Sequence, residues 1–393
     1  IEAGYSPASV ISNLNDPILT PEGDWVPEDE HSTANSMTLR TALKISSNRA
    51  AVQLLRTVAI PSAVSHAQKL NVGTPPSVPS LALGASEVTL LALTAAYGAF
   101  ADGGIVHQPV FIRRVEDSEG NVLFEEKGRS RRAVSEATAF LMASMLSDVI
   151  NHGTAYRARQ VGFTLPAAGK TGTTNDYVDA WFVGFTPRVV TGVWIGFDKP
   201  RSIIANGYAG ELAVPLWASF MKTATKGHKA DWFDRPSDVV SANVCRVSGR
   251  LPNAGCHSVA TVSSDGWTTT RSMVYAEYFK RGTQPSGVCP IHTQPAYVEA
   301  LASGVGEDIP RPASGDATES APPAPAATTG SPTPAPQPAQ VSPAASTEAA
   351  VAEAEEKPKR RGFWSRVFGR GGDKDDKNNK KDDKKPPRKP DGR

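Results

Sequence analysis

Two short runs of residues have types and spacings that could act together on a peptide. One is Lys170-Thr171-Gly172-Thr173-Thr174, opening a strand-like segment; the other is Ser46-Ser47-Asn48, far upstream. A strand edge offers backbone N–H and C=O groups that can pair with an extended peptide. Gly172 removes a side chain where a ligand backbone would have to come close. Lys170 supplies a fixed positive charge and Thr171 and Thr173 supply hydroxyl donors, a combination suited to a substrate carboxylate. Ser46 can relay a proton, and Asn48 offers both a donor and an acceptor to a peptide bond. Singly, each motif is weak. Lys-Thr-Gly is most often a strand leaving a turn, and Ser-x-Asn recurs at Ser241-Ala242-Asn243.

The elements that must position these residues can be read from local pattern. Residues 1–36 read as loop, punctuated by Ser6-Pro7, Asn15-Asp16-Pro17, Pro21-Glu22-Gly23 and Pro27. A helical period begins at Met37 and resumes through Ala51, Leu54 and Leu55, so Ser46-Ser47-Asn48 falls between two helical segments, where small polar side chains cap. Further helices are predicted over Val88–Ala101, about Glu136–Ile150 and about Ala213–Thr225. Strand-like runs are Val110–Val115 and Val122–Glu125, joined across a turn at Asp117–Asn121. Ala167–Thr173, Ala180–Phe185 and Val189–Phe197 are three closely spaced strands, which implies an antiparallel meander. The fold class is therefore α/β mixed (α+β), an antiparallel sheet flanked by helices, closing near residue 230. Asp176 and Asp179 sit in the turn before a strand, where hairpin shaping explains them better than acid–base chemistry.

Composition divides the chain. Of 42 Lys+Arg and 40 Asp+Glu, residues 351–393 hold 15 and 9, leaving 27 and 31 for residues 1–350. The globular part is mildly acidic, which argues against a nucleic-acid-binding core, and the basic character belongs to the tail. No stretch approaches the roughly 18 apolar residues that span a bilayer. Residues 231–300, with all three cysteines, read as a small C-terminal extension of the domain. Residues 301–350 hold 10 prolines, no aromatic residue and one basic residue, Arg311. Such a segment buries too little to offset its ordering entropy and is predicted to be a disordered linker; 351–393 is a charged disordered tail.

Longer stretches around the two motifs carry a family resemblance. Gly169-Lys-Thr-Gly-Thr-Thr-Asn-Asp-Tyr-Val-Asp-Ala-Trp-Phe-Val-Gly-Phe-Thr-Pro187 resembles the active-site strand and hairpin of class A penicillin-binding proteins. So do Ser46-Ser-Asn-Arg-Ala-Ala-Val-Gln53, the stretch from Glu87-Val-Thr-Leu through Ala99-Phe-Ala-Asp-Gly-Gly104, and Asn151-His-Gly-Thr-Ala155, in matching order. The likeness covers roughly residues 1–295. It implies the penicillin-recognising serine transpeptidase fold, related to β-lactamases, and cross-linking of peptidoglycan stem peptides through an acyl-enzyme, with β-lactam antibiotics as further ligands and no cofactor. By the same resemblance Ser46 shuttles a proton to the leaving amine and Asn48 holds the donor amide. Lys170 fixes the terminal carboxylate and tunes Ser46, with the Thr171 and Thr173 hydroxyls nearby, and the Thr173 N–H serves the oxyanion hole.

In that family the nucleophilic Ser-x-x-Lys precedes both other motifs, a few residues before a segment like Glu2-Ala3-Gly4-Tyr5-Ser6-Pro7. None stands there. Ser219-Phe220-Met221-Lys222 fits the form but follows Lys170, which makes it a decoy. The expectation is a transpeptidase domain over 1–230 without its nucleophile segment, inactive alone. The resemblance further implies an upstream membrane anchor and glycan-polymerising domain, on the outer face of the cytoplasmic membrane. The alternatives are a non-catalytic peptidoglycan- or partner-binding module and, disfavoured by the long tail, a secreted serine β-lactamase.

Two features remain. Cys245, Cys256-His257 and Cys289-Pro-Ile-His292 can be drawn as a zinc site, but the spacings lack a Cys-x-x-Cys pair and an exported protein favours a disulfide, so no metal is expected. Arg360-Arg361-Gly362-Phe363-Trp364-Ser365-Arg366, within the 351–393 tail, suits either a weak contact with anionic lipid or wall polymers or a plain solvated tail.

Overall fold

A three-stranded antiparallel sheet forms the centre, in the order Val190–Ile195, Ala180–Phe185, Ala168–Thr173. The middle strand is held in register on both sides, from Ala180↔Thr173 to Phe185↔Ala168 and from Ala180↔Ile195 to Phe185↔Val190. The strand carrying Lys170 lies at the sheet edge. The computed structural model describes residues 1–20, 23–29, 32–262 and 268–292. The expected linker 301–350 and tail 351–393, with its lipid or wall contact, lie outside the described residues.

Seven helices lie among the described residues, of which α4, α5 and α7 pack on the sheet: α1 (Leu39–Ile45), α2 (Asn48–Val58), α3 (Ile60–Lys69), α4 (Leu90–Ala101), α5 (Glu136–His152), α6 (Arg157–Gln160) and α7 (Ala209–Ala224). Side chains alternate across a strand, and the middle strand divides its aromatic residues accordingly. Phe182 meets Trp217 of α7 with ring centroids 5.1 Å apart, whereas Phe185 meets Tyr97 of α4 at 6.3 Å and Phe233 at 5.5 Å. One core therefore joins α7, the end of α5 and Phe163 to Phe182; the other joins the start of α5 to Ala168, Phe185 and Phe233. The antiparallel sheet between helical layers is the fold class that the sequence predicts.

The local signals for the helices hold up well. Ser47 caps α2, Thr89 caps α4 and Ser135 caps α5, each with its side-chain oxygen accepting a backbone N–H. Four departures have physical reasons. Residues 1–36 are not all loop: Val10–Ser12 pairs with Ser36–Thr38 and Ile18–Thr20 pairs with Gly23–Trp25, in strands too short to show a period. Helix α3 is absent from the sequence reading; it carries Pro61 in its first turn, where proline is tolerated. Val110, Phe111 and Ile112 are exposed, and the strand starts at Arg114, pairing with Val122–Glu125. Helix α7 begins at Ala209, ahead of Pro215, because its first N–H finds a partner on the Lys170 strand.

The region after residue 230 is built into the same body. Strands Val239–Cys245 and Val274–Lys280 pair antiparallel over seven residues each. Val244 and Phe279 bury against Ala8, and Tyr278 packs edge-on against Phe140 of α5 at 5.2 Å. From this hairpin Glu277, 1% exposed, reaches the guanidinium of Arg40 on α1. Arg40 Nε and Nη2 donate to Glu277 Oε2 and Oε1 at 2.6 Å each, Nη1 donates to Asp148 of α5 at 3.0 Å and to the Ser144 carbonyl at 3.1 Å, and Nη2 donates to the Ser144 hydroxyl at 2.9 Å. Glu277 also accepts from the Tyr275 hydroxyl and the Tyr278 N–H. Burial alone would lower the Arg40 pKa, but the two carboxylates raise it above its ordinary value. Breaking one side of a buried pair strands the other charge, so Arg40→Met or Glu277→Leu alone should cost about 3–5 kcal/mol in denaturant unfolding. The double variant should lose much less than the sum; additive losses would show that the pair is not coupled.

Candidate active site

Ser46 ends α1 in the left-handed backbone region, at φ 61° and ψ 45°. That conformation costs a residue with a Cβ about 1–2 kcal/mol, and here it turns the chain so that Ser47 can begin α2. The consequence is that the Ser46 hydroxyl projects from the joint between two helices toward the sheet edge. There it accepts a hydrogen bond from Lys170 Nζ at 2.7 Å, and the same ammonium donates to the Thr171 carbonyl at 2.9 Å. Burial lowers the Lys170 pKa to about 8. At neutral pH this ammonium is charged but poorly hydrated, a state that a ligand anion would relieve.

The joint is locked to the strand from a second side. A Cβ at Gly153 would fall 2.4 Å from the Lys44 carbonyl, so α5 ends where it can lie directly against the last turn of α1. The next residue, Thr154, places its hydroxyl 2.6 Å from that of Thr171. Thr154 lies within the Asn151–Ala155 stretch that carries the resemblance, but nothing in the sequence singled it out. Only its apposition to Thr171 gives it a place.

The remaining predicted residues are distributed along the same edge. Thr173 is exposed and its hydroxyl accepts from the Ala209 N–H at 3.0 Å, so it caps α7. Gly172 differs from Gly169 in the reason for having no side chain. A Cβ on Gly169 would fall 2.7 Å from the Phe182 ring, whereas one on Gly172 would meet only Trp181 Cβ at 3.5 Å. Packing within the protein demands the first glycine and not the second. Asn48 opens α2 and is exposed; its amide donates to the Glu28 carbonyl at 2.9 Å. Its neighbours bind the same loop, Ser47 donating to Asp29 and Arg49 to the Pro27 carbonyl at 3.0 Å. The structure thus brings Ser46, Lys170, Thr171 and Thr154 together and ties Asn48 to residues 27–29.

The two competing readings of other motifs also find their places. Ser219 and Lys222 are exposed on α7, with Lys222 Nζ donating to the Val161 carbonyl at 3.2 Å. Asp179 accepts from Trp194 Nε1 at 2.8 Å and from the Thr174 hydroxyl at 3.2 Å, which shapes the hairpin. The strained cap offers a test independent of any ligand. Ser46→Gly should unfold at higher denaturant than Ser46→Ala by about 1 kcal/mol, because both lose the hydroxyl but only glycine relieves the left-handed backbone. Equal midpoints would mean that the backbone there is not held left-handed.

Residues 12–221 match the model of the penicillin binding protein transpeptidase domain, and residues 235–294 match that of the penicillin-binding protein 1A C-terminal domain. Penicillin-binding protein 1A of Aquifex aeolicus is 34% identical over 290 residues, 73% of this chain, and that of Neisseria gonorrhoeae 35% over 255 residues, 62% of this chain. The chain spans 37% and 32% of those two relatives' lengths. Among solved structures, penicillin-binding protein 1A from Haemophilus influenzae superposes with a TM-score of 0.64 at 26% identity, covering 73% of this chain and 47% of that one. PonA1 from Mycobacterium tuberculosis in complex with penicillin V gives 0.53 at 22% identity over 64% of this chain and 70% of that one, a likeness of fold.

Proposed function

Since the chain belongs to the penicillin-binding protein transpeptidase family, we propose that the edge between Ser46 and Lys170 is the substrate side of a D-Ala-D-Ala transpeptidase cleft in a cell-envelope peptidoglycan synthase. The observation that carries the proposal is the 2.7 Å bond from Lys170 Nζ to Ser46 Oγ beside an open sheet edge. A stem peptide adds as a strand along Lys170–Thr173, with main-chain groups pairing and Gly172 leaving room for its backbone. Its terminal carboxylate, or that of a β-lactam, pairs with the Lys170 ammonium and the Thr171 hydroxyl, a charge-assisted contact.

In this reading Ser46 carries the proton to the departing D-Ala amine, as donor and acceptor between Lys170 and the scissile nitrogen. Asn48 holds the donor amide after giving up its bond to the Glu28 carbonyl. The backbone N–H of Thr173 stabilises the oxyanion. In this reading Ser219 is not the acylating serine: it is exposed on α7, and Lys222 Nζ donates to the Val161 carbonyl. Carboxypeptidase activity, a glycan-polymerising partner domain and a membrane anchor belong to the same proposal for the whole protein. No helix among the described residues is long and apolar enough to cross a membrane.

Binding and acylation are separable experimentally. A peptide ending in D-Ala-D-Ala should bind the 393-residue chain saturably by tryptophan fluorescence, its C-terminal amide should not, and Lys170→Ala should abolish binding. Affinity should fall as pH rises through about 8, where the ammonium loses its proton. Equal binding of acid and amide would defeat the carboxylate assignment. Incubation with a fluorescent penicillin and a denaturing gel should leave the chain unlabelled; a covalent band would show that it carries its own nucleophile.

A further inference from the structure

The three cysteines do not form the expected disulfide. All three are buried free thiols, and their Sγ atoms converge with His292 Nδ1, every pair of these four atoms lying within 4.8 Å. The histidine is the one in Cys289-Pro-Ile-His292, whereas His257, adjacent to Cys256, is exposed. Nδ1 stands 3.3 Å from Cys245 Sγ, 3.5 Å from Cys256 Sγ and 3.6 Å from Cys289 Sγ. One imidazole nitrogen has a single lone pair, so it cannot accept from three thiols at once. Three thiols and one imidazole nitrogen gathered this closely are instead spaced as the four ligands of a single tetrahedral centre. A tetrahedral zinc with Zn–S of about 2.3 Å and Zn–N of about 2.0–2.1 Å requires S···N edges of about 3.5 Å, which these three distances match.

The surroundings are built to hold those four atoms. Asn253 ties two ligand segments together, its side-chain oxygen accepting from the Cys256 N–H at 3.2 Å and its amide donating to the Cys289 carbonyl at 2.9 Å. Cys245 ends one strand of the paired hairpin, and its carbonyl accepts the Gly249 N–H at 2.9 Å in a tight turn. The Cys289 N–H donates to the Leu251 carbonyl at 2.8 Å and the Met273 N–H to the Cys256 carbonyl at 2.8 Å, so all three cysteine segments are fixed by backbone bonds. Met273, Val259 and Val274 close the cluster with apolar surface. Val244 and Phe279 pack on Ala8, and Phe233, Val239 and Tyr278 pack on the α5 core, so this knot is the buried cluster formed by the extension's own residues. An extension of about 60 residues rarely holds on apolar burial alone and commonly relies on a metal or disulfides.

We propose that Cys245, Cys256, Cys289 and His292 form a closed structural zinc site that organises residues 235–292. Three thiolates and one imidazole in tetrahedral array select zinc among the common divalent ions. A full set of four protein ligands leaves no position for substrate, so the role is to fold the extension. Binding converts three thiols to thiolates and releases their protons, and no redox change is involved.

The 393-residue chain, produced with zinc supplied and purified without chelator under reducing conditions, should contain one zinc per chain by elemental mass spectrometry. Replacement by Co2+ should give tetrahedral d–d bands with thiolate charge transfer. Cys256→Ser and His292→Ala should each drop the metal from one equivalent toward none. Because such variants could simply unfold, the unaltered chain provides a second readout: chelation should expose residues 235–292 to limited proteolysis, and added Zn2+ should restore protection. Metal-free protein with three titratable thiols, zinc-independent protection, or a disulfide in the zinc-supplied protein by non-reducing mass mapping would each overturn the site.

Discussion

A buried guanidinium must be given carboxylates, and Arg40 receives two, from Asp148 and Glu277, which lie 108 and 237 positions further along the chain. Its fork on Glu277 and its third bond to Asp148 fix α1 against both α5 and the C-terminal hairpin. Since α1 ends at Ser46, the position of that hydroxyl is referred back to this buried ion pair. Removing either partner would leave a charge in a site that cannot hydrate it, which is why the arrangement is all-or-none rather than graded. The extension after residue 230 thus bears on the position of Ser46 through Arg40.

The second constraint is close backbone approach. Helix α5 presents Gly153 to the carbonyl of Lys44, and this contact lets Thr154 meet Thr171 while Ser46 meets Lys170. The left-handed cap at Ser46, the glycine at 153 and the paired hydroxyls together hold a helix joint against a sheet edge. What results is an ammonium with two oxygen partners from the protein, poised beside an unpaired strand edge. Under the proposed function, preorganisation of this kind would let a ligand carboxylate gain the charge interaction without first ordering the side chain.

Much of this was legible from local pattern. Ser46-Ser47-Asn48 reads as a break between helices because small capping residues interrupt an apolar period, and the three central strands read as a meander because their connections are short. Contacts set by three-dimensional closure were not legible. Arg40 and Glu277 lie 237 positions apart and neither stands in a recognisable motif. Thr154 gains meaning only opposite Thr171, and the tether from Asn48 to Glu28 depends on a loop with no period of its own. The convergence of the three cysteines was not legible either: their spacings lack a Cys-x-x-Cys pair and compartment alone favours a disulfide, whereas the structure holds all three as free thiols. They converge with the histidine three residues beyond Cys289, a segment held alongside by the Leu251–Val288 bridge and by the bond from the Cys289 N–H to the Leu251 carbonyl.

The central claim is that Lys170 is a desolvated ammonium held by Ser46 and awaiting a carboxylate. It is tested most directly by titrating the lysine side chains with 13Cε NMR, with Lys170 assigned by substitution, in the presence and absence of a peptide ending in D-Ala-D-Ala. Lys170 should titrate near 8, below the ordinary lysine range, and its midpoint should rise when the peptide binds, because an anion favours the charged form. A Lys170 that titrates with the other lysines and does not move on addition of the peptide would contradict the account.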